Sequence, residues 1–308
     1  MIISIDHGNK SIKVSSAFSD GRVFTSGLRE SDSRPPFGED VLKYKDKYYT
    51  ISEKRIPFMR DKAIDDRFYI LTLIAIALEI EGSGKYESGM IPIRLLCGLP
   101  PAHYGAQYER FEEYFKRGGV EEFEFRGKPF NIYISEVTSY PQAFAAIMPV
   151  YGAISSLPKV MVIDLGGFTC DILAVKYGQA DLTVCDSLEH GVIIMYNQII
   201  ARVNSDLDIL LDEADVDSIL KGDHNSFGDD VKRIVNEIAR LFISDLFGKL
   251  RERGIELRSG KTVFVGGGSI LLRRQIESSG KATSPIFVDR ITANAKGYEI
   301  LYRTSKRG

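Results

Sequence analysis

Two short stretches of the 308-residue chain place an aspartate at the end of an apolar run and follow it with a glycine-containing turn. Asp6 begins the first stretch, hairpin A (residues 6–13), and Asp164 begins the second, hairpin B (residues 164–171). Glycine and small polar residues let backbone N–H groups face an anion. An aspartate at a strand end can hold the water shell of Mg²⁺, which takes few direct protein ligands. Both stretches therefore predict phosphate-binding hairpins.

The side chains of the two hairpins suit the same ligand. Lys13 can neutralise phosphate charge, Thr169 offers a hydroxyl, and Asp171 adds a second carboxylate for a hydrated metal. Hairpin A alone is also typical of an ordinary turn, but two such hairpins in matched strand contexts are hard to explain by chance. The residues predicted to contact the ligand are Gly8, Asn9, Lys13, Gly166, Gly167, Phe168 and Thr169, and Asp6 and Asp164 are predicted to hold Mg²⁺ mainly through water.

A third glycine-rich turn lies between a predicted strand and a predicted helix near the end of the chain. It consists of Gly266, Gly267, Gly268 and Ser269. A backbone without side chains can lie flat against a nucleoside or an α-phosphate, and a helix N-terminus favours negative charge. This turn therefore predicts the part of the site that holds the nucleoside.

The elements around the two hairpins repeat. Apolar strands at residues 2–5 and 160–163 lead into hairpins A and B, and further strands at 12–18 and 170–176 lead out of them. About half the chain separates the two copies, which predicts an internal duplication. We expect a domain I of residues 1–152 with a C-terminal helix at 291–308, and a domain II of residues 153–290.

Size and charge limit the classes of function. A chain of 308 residues with 44% hydrophobic and 27% charged residues is typical of a two-domain globular protein. The net charge of -2 predicts no direct nucleic-acid binding. The most apolar run, residues 68–78, is too short to span a bilayer, which needs about 20 residues. The first residues show no signal-peptide pattern, so we expect a cytoplasmic protein without membrane contact.

Hairpin A, hairpin B and the glycine-rich turn, in this order, resemble the two phosphate motifs and the adenosine motif of the actin, heat-shock chaperone and sugar-kinase superfamily. Residues 293–298 resemble the Ala-Asn-x-x-Gly-Tyr motif that closes the ParM/StbA-type bacterial actin-like proteins. The resemblance extends from Ile3 to Tyr298. It implies an α/β, actin-like (ribonuclease H-like) duplicated two-domain fold, with ATP or GTP and Mg²⁺ in the inter-domain cleft.

The resemblance also implies a residue that positions the attacking water, on the helix just before the second half. Gln142 lies at the start of a helix predicted at residues 141–148. Glutamine is no strong base, but it can orient water, and positioning is most of what phosphoryl transfer needs. Glu136 is the competing candidate, because ParM-like relatives often carry Glu in this region. We favour Gln142, with Asp6, Asp164 and Asp171 completing the predicted catalytic set.

Three further residues come from the same resemblance. Gly191 matches a glycine that precedes a helix near the γ-phosphate. Lys232 and Glu237 lie on the long helix that contacts base and ribose in the family, and a solvent-facing helix surface is the alternative for both. The neighbouring His190 could touch phosphate, although a histidine at a helix start is more typical of a cap or a surface residue.

Fold alone does not determine the function. A sugar-kinase relative would use an aspartate base, and residues 135–146 contain none. The resemblance therefore implies an ATPase that polymerises head to tail with ATP-Mg and disassembles after hydrolysis, for plasmid or phage DNA segregation. Its expected partners are other copies of itself and a DNA-bound adaptor protein. The alternative is a non-polymerising actin-fold ATPase or a small-molecule kinase.

Overall fold

The computed structural model describes residues 1–84, 86 and 89–306. The chain divides into two compact units. Unit 1 contains Met1–Met148 and the C-terminal segment that begins at Thr292, and unit 2 contains Pro149–Ile291. Each unit is built on its own β-sheet.

Within the described residues, unit 1 has a nine-stranded sheet in the order β3-β2-β1-β7-β9-β8-β5-β6-β4. Strands β1, β7 and β9 run parallel to one another, so that their carboxyl ends share one edge. Strand β2 pairs antiparallel with β1, and β3 pairs antiparallel with β2. The strands are β1 (Ile2–His7), β2 (Ser11–Ser16), β3 (Ser19–Thr25), β4 (Leu28–Ser31), β5 (Val41–Tyr44), β6 (Lys47–Ile51), β7 (Met90–Leu99), β8 (Val120–Phe125) and β9 (Lys128–Pro141).

The described part of unit 2 has a five-stranded sheet in the order β12-β11-β10-β13-β14. Its pairing repeats that of unit 1: two antiparallel neighbours on one side of the first strand and two parallel strands on the other. The predicted duplicated α/β fold is thus confirmed. The strands are β10 (Val160–Leu165), β11 (Cys170–Lys176), β12 (Gln179–Leu188), β13 (Lys261–Val265) and β14 (Ile286–Phe287).

Strands and helices both contribute to the hydrophobic core of unit 1, whereas helices supply most of the core of unit 2. Residues 68–80 of the first helix are buried, which explains the apolar run in the sequence. None of the helices in the described ranges is both long and apolar enough to span a membrane. The helices are α1 (Arg67–Gly82), α2 (Pro101–Lys116), a 3₁₀ helix (Ala145–Val150), α3 (Tyr151–Ile154), α4 (Val192–Leu207), α5 (Glu213–Lys221), α6 (Asp229–Glu252), α7 (Gly267–Leu271), α8 (Arg273–Ser278) and α9 (Ala293–Ser305).

The predicted start of the helix at residues 141–148 is wrong, and only residues 145–148 are helical, as part of the 3₁₀ helix. Strand β9 continues through Pro141, which pairs with Leu99 of β7. The N–H of Gln142 then donates to the carbonyl of Leu99 at 2.8 Å. Pairing with a buried parallel strand therefore outweighs the local preference of proline for the first turn of a helix, and helical structure begins only at Ala145.

Other predicted elements also differ. Strand β4 pairs with β6 in a stretch for which no strand was predicted. Helix α5 was not predicted, although Asp212 and Asp215 form a capping box at its N-terminus. The helix predicted to follow the glycine-rich turn is interrupted at Leu272, where α7 gives way to α8.

Helix α9 approaches the end of β9 very closely. A Cβ atom at Gly297 would lie 1.8 Å from the carbonyl oxygen of Ala145. Tyr298 is fully buried, and its ring stacks on that of Tyr140 with centroids 6.0 Å apart. The contact requires a residue without a side chain at position 297.

We expect Gly297→Ala to lower the free energy of unfolding by about 2 kcal/mol, because the added methyl group overpacks a rigid backbone contact. Gly105→Ala in α2 is the matched control, since no atom lies within 4 Å of its added Cβ. There alanine should stabilise the helix by about 0.5–1 kcal/mol. Urea unfolding followed by circular dichroism measures both changes. Equal midpoints for the two variants would contradict the close contact.

Candidate functional site

Hairpin A turns between β1 and β2 through three residues, Gly8, Asn9 and Lys10. The register places Asp6 opposite Lys13 and closes the strands at His7 and Ile12. Asp6 is 4% exposed, and its Oδ2 lies 3.4 Å from the Lys13 ammonium. The ammonium lies over the turn, only 2.5 Å from where a Cβ of Gly8 would stand. A buried carboxylate and a cation therefore meet beside the turn.

Gln142 joins hairpin A from a distant part of the sequence. Its Nε2 donates to Oδ1 of Asp6 at 2.9 Å, and both side chains are buried. The contact arises because β1, β7 and β9 are parallel, which brings the residues at their carboxyl ends to one edge of the sheet.

Glu136, the alternative to Gln142, has other partners. Its Oε2 accepts a hydrogen bond from the Tyr302 hydroxyl at 2.8 Å, and its carboxylate lies within 4 Å of the Arg94 and Lys306 side chains. Despite the cost of partial burial, these hydrogen bonds and charges hold its pKa below the ordinary value. Its carboxylate thus stabilises the packing of α9, while Gln142 contacts Asp6.

Hairpin B repeats this geometry in unit 2. The register places Asp164 opposite Asp171, and the N–H of Gly166 donates to the carbonyl of Thr169 at 2.9 Å to close the turn. Asp164 and Asp171 are 7% and 5% exposed. Asp171 stands at the position that Lys13 occupies in hairpin A, so hairpin B presents two carboxylates where hairpin A presents a carboxylate and an ammonium.

Two hydroxyls hold Asp171 in place. Thr169 Oγ1 donates to its Oδ2 at 3.2 Å, and Ser187 Oγ donates to its Oδ1 at 2.5 Å. Ser187, which is not among the predicted site residues, lies on β12 opposite Asp171. Only the pairing of β11 with β12 reveals this contact.

Gly191 packs directly against hairpin B. A Cβ at this position would lie 2.3 Å from the carbonyl oxygen of Gly167. The N–H of Gly191 donates to Phe168, and the first N–H groups of α4, those of Val192 and Ile193, donate to Gly166 and Gly167. Amides that a helix usually leaves unpaired thus fix the shape of the hairpin.

The glycine-rich turn contacts hairpin B from the other side. Gly266 follows β13, whose last residue pairs with Asp164, and has φ = 87°. A Cβ there would lie 2.3 Å from Asp164 Oδ1. The neighbouring Ser269 is fully buried, so in this conformation its hydroxyl lies beneath the surface of the turn.

Two other predicted residues lie on α6, and Phe168 lies within hairpin B. Lys232 and Glu237 are on α6, where Glu237 is exposed and lies 4.0 Å from Arg233. Phe168 packs partly buried against the unit 2 core. The proposed contacts of Lys232 and Glu237 with a nucleotide stay predictions.

His190 is buried, and its ring stacks on Phe242 with centroids 4.8 Å apart. Its Nε2 lies 3.3 Å from Asp245. Burial and then the Lys249 charge lower the pKa of His190, while Asp245 opposes them. A neutral imidazole in this packing is a structural residue.

The carboxylates suit a hydrated divalent cation better than a metal ion that is held entirely by protein ligands. No group of three or more His, Cys, Asp and Glu side chains in the described ranges could hold a metal ion. Asp6, Asp164 and Asp171 are instead buried carboxylates at the ends of the two hairpin turns. Mg²⁺ keeps several waters and binds through one or two carboxylates plus substrate phosphates, so these residues fit it.

Two family models match the chain. The actin-like protein N-terminal domain matches residues 4–144, and the C-terminal domain of the archaeal actin homologue MreB-like proteins matches residues 162–278. The chain is an actin-like protein. The predicted family resemblance is therefore confirmed, while no curated protein matches the actin-like chain in sequence.

Solved structures of other actin-like proteins share the fold over nearly the whole chain. The archaeal actin homologue Ta0583, in complex with ADP, has a TM-score of 0.75 at 17% identity, covering 100% of both chains. A 15-stranded ParM filament from Clostridium botulinum has a TM-score of 0.76 at 20% identity, covering 98% of this chain and 99% of the other. The actin-like protein Alp7A has a TM-score of 0.78 at 13% identity, covering 99% and 96%.

Lowering the pH should destabilise this actin-like protein partly through His190. Its pKa is lowered in the folded chain. Near the ordinary pKa, His190 therefore binds a proton in the unfolded chain but stays neutral in the folded chain. The free energy of unfolding must then fall as the pH drops below about 6.5. His190→Phe keeps the ring stack and removes this titration, so its profile from about pH 7 to about pH 5 should be shallower than that of the wild type. Parallel profiles in urea titrations would refute the assignment.

Proposed function

We propose that this actin-like protein binds and hydrolyses ATP, or GTP, with Mg²⁺. The observation that carries the proposal is the contact of the Gln142 carboxamide with the buried Asp6 at 2.9 Å, beside a glycine-containing turn that hairpin B repeats. An ordinary structural turn needs neither a buried carboxylate nor an amide brought from the end of another strand. Phosphoryl transfer needs both, because it depends on positioning and on electrostatic stabilisation.

Each hairpin has a defined part in this proposal. In this proposal the backbone N–H groups of Asn9 and Gly167 face phosphate oxygens. Those of Gly8 and Gly166 donate to carbonyls within their own turns and shape them. The Lys13 ammonium, 3.4 Å from Asp6, neutralises phosphate charge. Bound Mg²⁺ would supply further neutralisation of the phosphate oxygens. The residues proposed to hold its water shell are Asp6, Asp164 and Asp171.

Gln142 orients the attacking water in this proposal. A carboxamide has two N–H donors and one acceptor oxygen. Since the Asp6 carboxylate can only accept, its contact with Nε2 fixes which way the amide faces. The Oε1 atom of the same amide can then accept a hydrogen bond from water. This contact orients a lone pair of the water oxygen toward the phosphorus atom. Gln142 takes no proton itself, because a neutral amide is not a base at physiological pH.

We further propose that the bound nucleotide controls head-to-tail assembly into filaments. The likeness to a ParM filament and to other actin homologues supports this step. A head-to-tail contact joins different surfaces of two copies, so it builds an open polymer unless the rotation closes a ring. The cellular role proposed is DNA segregation in the cytoplasm, through a DNA-bound adaptor protein, since the near-neutral charge gives little basis for direct DNA binding.

Adding Mg-ATP or Mg-GTP to the purified protein should raise right-angle light scattering, which then decays as phosphate is released. The rise reports assembly, and the decay reports weakening of the polymer after hydrolysis. Asp164→Ala should lose Mg²⁺-dependent phosphate release, because it removes a buried carboxylate beside hairpin B. Phosphate release with flat scattering over a wide protein concentration range would reject filaments and favour the non-polymerising ATPase or kinase. Unchanged turnover in Asp164→Ala would reject the site.

Gln142→Ala should lower kcat by about 100-fold with a smaller change in KM, because it removes water positioning and leaves the phosphate turns intact. Its polymers should therefore form normally and persist longer in the scattering assay. Gln198→Ala is the matched control, since Gln198 is exposed on α4 and should leave turnover unchanged. A Gln142→Ala protein with normal turnover would exclude this residue from catalysis.

A further inference from the structure

The residue after Gln142 has an unfavourable backbone conformation. Ala143 has φ = 58°, which lies in the left-handed region that residues with a Cβ atom rarely adopt. The residue is also fully buried. Such a conformation persists only where surrounding contacts hold it, and its position beside the proposed water-orienting residue makes those contacts relevant to function.

Asn294 provides one of these contacts from the first turn of α9. Its Oδ1 accepts a hydrogen bond from the N–H of Ala143 at 3.1 Å. Asn294 is itself 8% exposed. On either side of Ala143, the N–H of Gln142 donates to Leu99 and that of Phe144 donates to the Gln142 carbonyl. The short segment 142–144 is thus held in one conformation by three hydrogen bonds.

The position of Asn294 is set by the packing of α9 rather than by its own side chain. Gly297, one turn further along, lies against the Ala145 carbonyl. Tyr298 packs over Gly98, where a Cβ would lie 2.3 Å from the tyrosine hydroxyl. Helix α9 therefore cannot shift without breaking contacts on both β7 and the segment that follows β9, so Asn294 presents its oxygen to Ala143 in a fixed place.

We propose that Asn294 is a positioning residue that acts through Gln142. By accepting the N–H of Ala143, it holds the left-handed conformation that turns the Gln142 side chain toward Asp6. The proposal rests on the proposed function, in which that side chain orients water. It gives the Ala-Asn-x-x-Gly-Tyr stretch a physical role: Gly297 and Tyr298 place the helix, and Asn294 uses that placement.

The test combines Asn294→Ala with a variant that no longer needs the hydrogen bond. Glycine adopts φ = 58° without strain, so Ala143→Gly should restore the conformation when Asn294 is lost. We expect Asn294→Ala to lower kcat by about 10- to 100-fold with little change in KM, and the double variant to recover most of that loss. Tyr302→Phe is the matched control, since it removes one hydrogen bond from the same helix and should leave kcat unchanged.

A second readout needs no nucleotide. Asn294→Ala should accelerate hydrogen exchange of the Ala143 amide and shift the Gln142 side-chain amide signal in ¹⁵N NMR spectra, whereas Tyr302→Phe should change neither. The Gln142 signal should return in the double variant. These NMR signals separate the two proposals. If the wild-type protein does not hydrolyse nucleotide, the proposed function is overturned. The Gln142 signal still tests whether Asn294 positions that side chain.

Three results would overturn the positioning role. One is an unchanged Gln142 amide signal in Asn294→Ala. Another is a wild-type rate in Asn294→Ala despite faster exchange at Ala143. The third is a loss of kcat that Ala143→Gly does not reverse, because a general structural defect would behave in that way.

Discussion

The backbone of Gly191 packs directly against that of Gly167, just after β10. The rest of the candidate site in unit 2 depends on this contact. A side chain at Gly191 would collide with the Gly167 carbonyl, and one at Gly266 would collide with Asp164. Because no Cβ stands there, the first amides of α4 donate to hairpin B. The turn is therefore shaped by the protein before any ligand binds, and ligand binding need not order it.

Buried carboxylates are the second constraint, since burial of an unpaired charge is very unfavourable. Asp6 lies between the Gln142 amide and the Lys13 ammonium, and Asp171 accepts from two hydroxyls. Hairpin A thus pairs its carboxylate with a cation, while in hairpin B the hydroxyls of Thr169 and Ser187 hold Asp171 in place.

In unit 1, helix α9 supports the backbone next to Gln142. The helix lies against the residues that follow β9 at a distance that only glycine permits at position 297. The same helix carries Asn294, which contacts Ala143 beside Gln142. Helix α9 therefore packs beside the edge of the sheet where β1, β7 and β9 end. The proposed catalytic residue therefore depends on segments from three distant parts of the sequence.

The sequence by itself determined the two hairpins, the glycine-rich turn and the duplicated α/β pattern, because turn chemistry and strand alternation are local properties. It also indicated Gln142, through a family resemblance, but placed it on a helix. Only the tertiary structure decided that β9 runs on to Pro141, that Ser187 holds Asp171 and that Asn294 supports Ala143. These features depend on pairing between segments far apart in the chain, and such pairing has no signature in any short window of residues.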